Sequence, residues 1–255
     1  MRESSSLPPA QSRPYSALPS AEREPRTRFP LGAEALDALL GGGLERGRLH
    51  EFHAATEDDL PSMTGFALTL ALRAGGRDGQ IVWLAEAKRG GGLLHGPGVA
   101  ELGADPARLL FVTVPDEKML LKAAADVVRS PAAGTAVIAP SPRPRHLDLT
   151  ATRRLMLFAE RSGVTVLLLR GVSAEAPSAA ATRWRIAAAP STPLEANAPG
   201  APAFAVDLVR RRGGAPSPGW RLEWDRDAGR FAPHGGTSPL SSDLAADARR
   251  RRLAG

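Results

Sequence analysis

The chain has 255 residues, with 33 Lys and Arg against 27 Asp and Glu, a formal net charge of +6, and no cysteine. That length accommodates one domain with tails and a full core, and the missing cysteines exclude disulfides and thiolate metal sites. No run of 18 apolar residues exists, and Glu3, Glu22 and Glu24 argue against a transit peptide, so a cytoplasmic location is expected.

The basic charge has a bland explanation. Only Lys88, Lys118 and Lys122 are lysines, and Ala, Arg, Gly and Pro are inflated together, as a coding bias would produce. Basicity alone therefore gives nucleic-acid binding modest support.

Residues 1–28 and 233–255 read as disordered tails rich in Pro, Ser and Arg, the second carrying Arg249-Arg250-Arg251-Arg252. The domain lies between them, over 29–232. Ala33 to Leu40 has a helical pattern stopped by Gly41-Gly42-Gly43, and Leu49 to Phe52 reads as a strand. A buried helix is predicted over Ser62 to Arg73. Four apolar runs follow, at 81–85, 109–112, 136–139 and 164–169. Strands apolar on both faces belong to a parallel sheet covered by helices on each side.

Between these runs, Asp116 is placed to cap a helix whose apolar face is Met119, Leu120, Ala123, Ala124, Val127 and Val128. Asp148 is placed to cap a second, through Leu155, Met156 and Ala159 to a stop at Gly163. The alternation predicts βαβ crossovers. After residue 180 the period becomes two, at Trp184/Ile186, Phe204/Val206/Leu208 and Trp220/Leu222/Trp224. These read as an antiparallel extension at one sheet edge.

A strand at 49–52 before a helix from about 62 is where a phosphate-binding loop would sit. Its chemistry needs glycines that let backbone N–H groups converge on an anion, a Lys, and a Ser or Thr for Mg²⁺. From Arg48 through Thr64 there is no Gly and no Lys; Glu57, Asp58 and Asp59 precede Pro61 instead. Two like unit charges about 4 Å apart oppose each other by roughly 4 kcal/mol at a surface-like dielectric, so a triphosphate would be repelled. The Mg²⁺-binding Asp expected after Ala136-Val137-Ile138 is replaced by Ala139-Pro140. Glu86 ends its strand where an ATPase of this topology could keep a water-activating acid, and without a phosphate cradle it reads as a vestige or a cap. No cofactor, no metal spacing among the five His, and no enzymatic activity are expected. Arg154-Leu155-Met156-Leu157-Phe158 looks like a sliding-clamp peptide, but Leu155 and Met156 read as core.

The segment from Leu31 to Phe52 resembles the lead into the ATP site of the RecA recombinase family. Gly96 to Leu110, Leu147 to Leu155 and Ala181 to Ile186 resemble more specifically the ImuA family, RecA-like proteins without a working phosphate loop. The resemblance covers roughly 29–232 and implies a RecA-like, mostly parallel twisted sheet flanked by helices. It implies a role in SOS-induced translesion synthesis and mutagenesis, with an ImuB-like protein and an error-prone DNA polymerase as partners, and RecA as a further candidate.

It also places two loops where RecA holds single-stranded DNA. One is Pro140 to Leu147, with Arg143, Arg145 and His146; the other, Gly171 to Ala181, has no basic residue. Arg210, Arg211 and Arg212 complete the candidate DNA-binding set, and a solvated strand end explains that run as well. The leading expectation is a pseudo-ATPase scaffold. A single-stranded-DNA-binding RecA paralogue and a SulA-like division inhibitor are the alternatives, and a working ATPase ranks last.

Overall fold

The computed structural model describes residues 27–75, 80–87, 94–172 and 176–233. Most of the two tails, 1–26 and 234–255, lies outside the described residues, as do Lys88 and His234. At the inner boundary Arg28 is already structured. It forms β1 (Arg28–Phe29), which pairs antiparallel with β2 (Leu44–Glu45). Helix α1 (Glu34–Leu39) lies between them, and its Asp37 carboxylate accepts the N–H groups of Leu31 and Gly32 at 2.7 and 2.8 Å. Gly43 closes this ribbon at φ 110°, where a Cβ would lie 2.1 Å from the Phe29 carbonyl oxygen, so only glycine fits.

The remaining strands form one sheet: β3 (Leu49–Ala54), β4 (Ile81–Glu86), β5 (Leu109–Val114), β6 (Thr135–Ala139), β7 (Thr165–Arg170), β8 (Thr182–Ala188), β9 (Ala203–Arg211), β10 (Ser217–Asp225) and β11 (Arg230–Pro233). Their order is β11-β10-β9-β8-β3-β7-β6-β4-β5. Strands β3 to β8 are parallel, and β9 to β11 continue the sheet antiparallel. The mostly parallel α/β architecture read from the sequence is thus present, with one adjustment. The Trp184 strand is not part of the antiparallel extension alone: it runs parallel to β3 on one side and antiparallel to β9 on the other.

Helix α2 (Leu60–Gly75) covers one face, and α4 (Glu117–Arg129) and α5 (Leu149–Ser162) cover the other. The first face carries an aromatic cluster. Phe66 of α2 lies 5.4 Å from Phe204 and 5.0 Å from Phe231, which lies 5.1 Å from Trp224. The antiparallel extension therefore shares the α2 core and is part of the same folding unit. Aromatic pairs in these tilted and edge-on arrangements add about 0.5–1.5 kcal/mol each beyond area burial.

On the opposite face Leu120, Ala124 and Val128 of α4 meet Leu155, Met156 and Ala159 of α5 over the sheet. The caps form as the sequence predicts. Asp116 accepts from Met119 N at 2.9 Å, Asp148 accepts from Ala151 N at 2.8 Å, and Gly163 ends α5 at φ 81°. A short helix α3 (Gly96–Glu101) precedes β5. That strand departs from expectation. It is an edge strand, so its apolar run is not covered on both faces: Leu110 is 53% exposed and Phe111 38%. Met119, assigned to the apolar face of α4, is 42% exposed.

Candidate functional site

The crossover after β3 passes over one face through α2, and those after β5 and β6 pass over the other through α4 and α5. In open parallel sheets, ligands collect at the carboxyl ends of strands whose crossovers leave to opposite faces. Here that place is bounded by the ends of β3, β4, β6 and β7.

The β3 exit is short. Ala55 N donates to the Ile186 carbonyl at 2.8 Å, and Glu57–Asp59 form a 3₁₀ turn leading into α2. Asp59 Oδ2 accepts from Thr56 N and Oγ1, at 3.1 and 2.7 Å, while its Oδ1 accepts from Ala188 N at 2.8 Å. The carboxylate thus fastens the turn to β8, and its acceptors are occupied where a phosphate loop would present donors. Glu57 and Asp58 are exposed, and Glu57 lies 4.0 Å from Arg143.

The exits of β6 and β7 close the crevice further. Gly171 O accepts from Ala54 N at 3.3 Å, and a Cβ on Gly171 would meet the Pro142 carbonyl oxygen at 2.4 Å. The β6–α5 loop therefore lies directly on the β7 exit. Ala139 and Pro140, both buried, stand where a metal-binding Asp was sought. Glu86 reaches across from β4 and accepts the Ser141 N–H at 2.8 Å.

Beneath these loops lies a charged cluster that the sequence reading missed. Glu51 and His53 alternate on the α4/α5 face of β3 and are 0% and 1% exposed. His53 Nε2 donates to Glu51 Oε1 at 2.7 Å, and Arg183 and Arg170 stand 3.1 and 3.5 Å from the same oxygen. Burial pushes the Glu51 carboxyl up. The His53 hydrogen bond, the Arg170 charge, a Ser178 hydrogen bond and the Arg183 charge outweigh it and hold the group below its ordinary value.

The two guanidiniums also reach outward, Arg170 to the Leu147 carbonyl at 2.9 Å and Arg183 to the Ala176 carbonyl at 2.7 Å. One carboxylate thus orients two arginines that hold one end of each loop. The available signal was the pattern Glu51-x-His53 inside an otherwise apolar strand of a parallel sheet.

The six candidate DNA-binding residues do not come together. Arg143, Arg145 and His146 are exposed on the β6–α5 loop, at the carboxyl edge. Glu117 fixes that loop by accepting from Arg145 N at 2.8 Å, His146 N at 2.6 Å and His146 Nδ1 at 3.1 Å. Burial raises the Glu117 carboxyl, and these bonds more than reverse it, so it titrates below its ordinary value.

Arg210 and Arg211 end β9 a full strand length away, with Arg212 in the turn that follows; there Arg211 pairs with Thr182 and Thr182 with His50. Arg210 donates to the carbonyls of Ser178 and Ala180 at 3.0 and 2.9 Å, and Arg211 donates to that of Leu39. Two of the three are thus engaged by the chain's own backbone, and Arg212 is exposed. Among the described residues no cluster of His, Asp or Glu has metal-ligating geometry, and no helix is long and apolar enough to cross a membrane.

No protein-family model matches the chain. It is, however, 35% identical over 232 residues to Protein ImuA of Caulobacter vibrioides strain NA1000, an alignment covering 85% of this chain and 91% of that protein. Protein ImuA of strain ATCC 19089 matches to the same extent.

The chain belongs to the ImuA family. Such coverage extends well beyond the Leu31–Phe52 segment that resembles RecA.

Proposed function

We propose that this ImuA-family chain is a non-catalytic, RecA-like scaffold of damage-induced translesion synthesis and mutagenesis, working with an ImuB-like protein and an error-prone DNA polymerase. Family membership carries this reading, through 35% identity across 85% of the chain. The carboxyl edge of the sheet supports its non-catalytic part. A nucleotide triphosphate needs converging N–H groups, a lysine and a Mg²⁺ ligand. This edge offers the Asp59 carboxylate, already engaged, and a crevice occupied by the Gly171–Pro142 contact. Fold likeness to ATPases carries no activity of its own.

The test is co-purification of the tagged full chain from cells treated with a DNA-damaging agent. Recovery of an ImuB-like protein and the polymerase is expected. Their absence, with the tagged chain itself recovered folded, refutes the assembly.

A second reading, single-strand binding, is favoured by one observation. Arg143, with its side chain 94% exposed, and Arg145 project from a loop whose backbone Glu117 fixes. Ordered backbone beneath exposed guanidiniums suits phosphate contact.

A further inference from the structure

Away from the carboxyl edge, α4 and α5 leave a groove of about 370 Å³ between their outer surfaces. Its floor is Leu121 and Ala125 of α4 and Ala151 and Leu155 of α5; its rim carries Lys118, Lys122 and Arg154. At one end Arg129 pairs with Asp126 and lies over the Phe158 ring, 5.3 Å from its centroid. Among the described residues nothing lies over the rest of the groove.

Two physical features restrict what fits. The small side chains at 125 and 151 leave room for apolar groups, and the floor offers no hydrogen-bond donors for a phosphodiester. The rim presents three cations, while Asp126, the acid beside them, is already paired with Arg129. Two of the chain's three lysines stand here, on a background where arginine is otherwise the basic residue used. From Lys118 to Arg129 the groove runs about 16 Å along α4 by the helical rise, which is the length of about three turns of a partner helix.

We propose that the α4/α5 groove docks an acidic amphipathic helix of a partner protein, its apolar stripe on the Leu121–Leu155 floor and its carboxylates against Lys118, Lys122 and Arg154. Apolar anchors spaced i, i+3, i+4 and i+7 match such a groove, and the complementary rim fixes orientation and selects against basic partners. The proposal deepens the scaffold reading by giving it a surface and a partner chemistry.

The test is selection of a displayed library of peptides of roughly 16 residues, long enough for four turns, on the full-length chain. Enriched peptides are then measured by fluorescence anisotropy against the wild type, the rim reversal Lys118→Glu/Lys122→Glu, and the floor plug Ala125→Tyr. The rim positions are exposed, so that variant keeps the test valid if the plug perturbs folding. Enriched sequences should carry Leu-type residues on one helical face and Asp or Glu beside them, and each folded variant should weaken them by about tenfold or more. No enrichment, enrichment of basic or non-amphipathic peptides, or affinities indifferent to the rim reversal would overturn the proposal. So would a single-stranded oligonucleotide that loses binding on the reversal while the peptides do not, since the groove would then be a nucleic-acid surface. Failure to co-purify an ImuB-like protein would remove the assembly but leave this peptide binding intact, so the two readings fail separately.

Discussion

Glu86 Oε1 accepts the backbone N–H of Ser141 at 2.8 Å, joining the end of β4 to the residue after Pro140. A carboxylate used this way acts as a strut between two strand exits. Its negative charge is engaged by the chain's own backbone.

The first prediction follows from that strut. ATP hydrolysis by the purified chain should stay at background with or without DNA, and ATP–Mg²⁺ should leave its melting temperature unchanged. Ligand at a hundred times its dissociation constant would stabilise the fold by about 2.7 kcal/mol, which a melting curve resolves. Glu86→Gln keeps an acceptor for Ser141 and should melt close to the wild type, whereas Glu86→Ala should lose about 1 kcal/mol. ATP turnover abolished by Glu86→Gln would make Glu86 a catalytic base and overturn the pseudo-ATPase reading.

Acid should act through His50. Burial pushes its imidazole down from 6.5 to about 4; the Glu45 carbonyl opposes this and the Arg28 charge adds to it. Nε2 donates to that carbonyl and Nδ1 accepts from the Thr182 hydroxyl, both at 2.8 Å. The unfolded chain therefore takes up a proton that the folded chain refuses. The contribution is intact above about 6.5, declines as pH falls, and is fully lost near 4, with a slope of up to about 1.4 kcal/mol per pH unit. Denaturant midpoints across this range should show the slope in the wild type and a flatter one in His50→Gln.

Replacing Glu51 by Gln should be severe. The change leaves Arg170 and Arg183 buried beside a neutral amide, and breaking one side of a buried ionic cluster costs about 3–5 kcal/mol. Amide exchange should quicken around Leu147 and Ala176, whose carbonyls the two arginines hold. Unchanged exchange there would show that the cluster does not position the loops.

Gly171→Ala tests the closed crevice. The added methyl would meet the Pro142 carbonyl oxygen at 2.4 Å, so a loss of about 1–3 kcal/mol is expected in thermal melts. Gly96→Ala, where nothing lies within 4 Å, serves as the control and should be neutral or slightly stabilising.

For DNA, the two readings diverge on Arg143→Ala/Arg145→Ala. If both residues contact phosphates, the salt dependence of single-strand affinity should drop by about two contacts' worth. The scaffold reading expects no change, and filter binding across a salt series separates the two.

The legible parts of the fold were those fixed by local chemistry. Asp116, Asp148 and Gly163 announce helix ends because caps are made within a few residues. The apolar runs of β4, β6 and β7 announce central strands because burial on both faces leaves no room for polar side chains. The same rule misplaced β5, since an apolar run looks identical whether or not a neighbour covers it. The direction of β8 was illegible for a related reason: alternation reports two unequal faces and is silent on which way a strand runs. At the site, missing residues were readable and assembled ones were not. The lack of glycine and lysine after β3 is written locally, whereas Glu51 meets Arg170 and Arg183 only once β7 and β8 flank it. Arg210 and Arg211 read as free cations, and their carbonyl partners come from other segments.

The position of β3 has a consequence for biosynthesis. It is the first strand of the large sheet to leave the ribosome, yet its neighbours are β7 and β8, which end at Arg170 and Ala188. Both its backbone edges therefore stay unsatisfied until most of the domain has emerged, while β4, β5 and β6 can already pair among themselves. Long-range parallel pairing of this kind is slow, and it exposes strand edges to aggregation. Glu51 lies on that waiting strand, and charge on an unpaired edge discourages intermolecular pairing. The carboxylate that later orients the two loop-holding arginines thus also puts a charge on the waiting strand in the interval before the sheet closes.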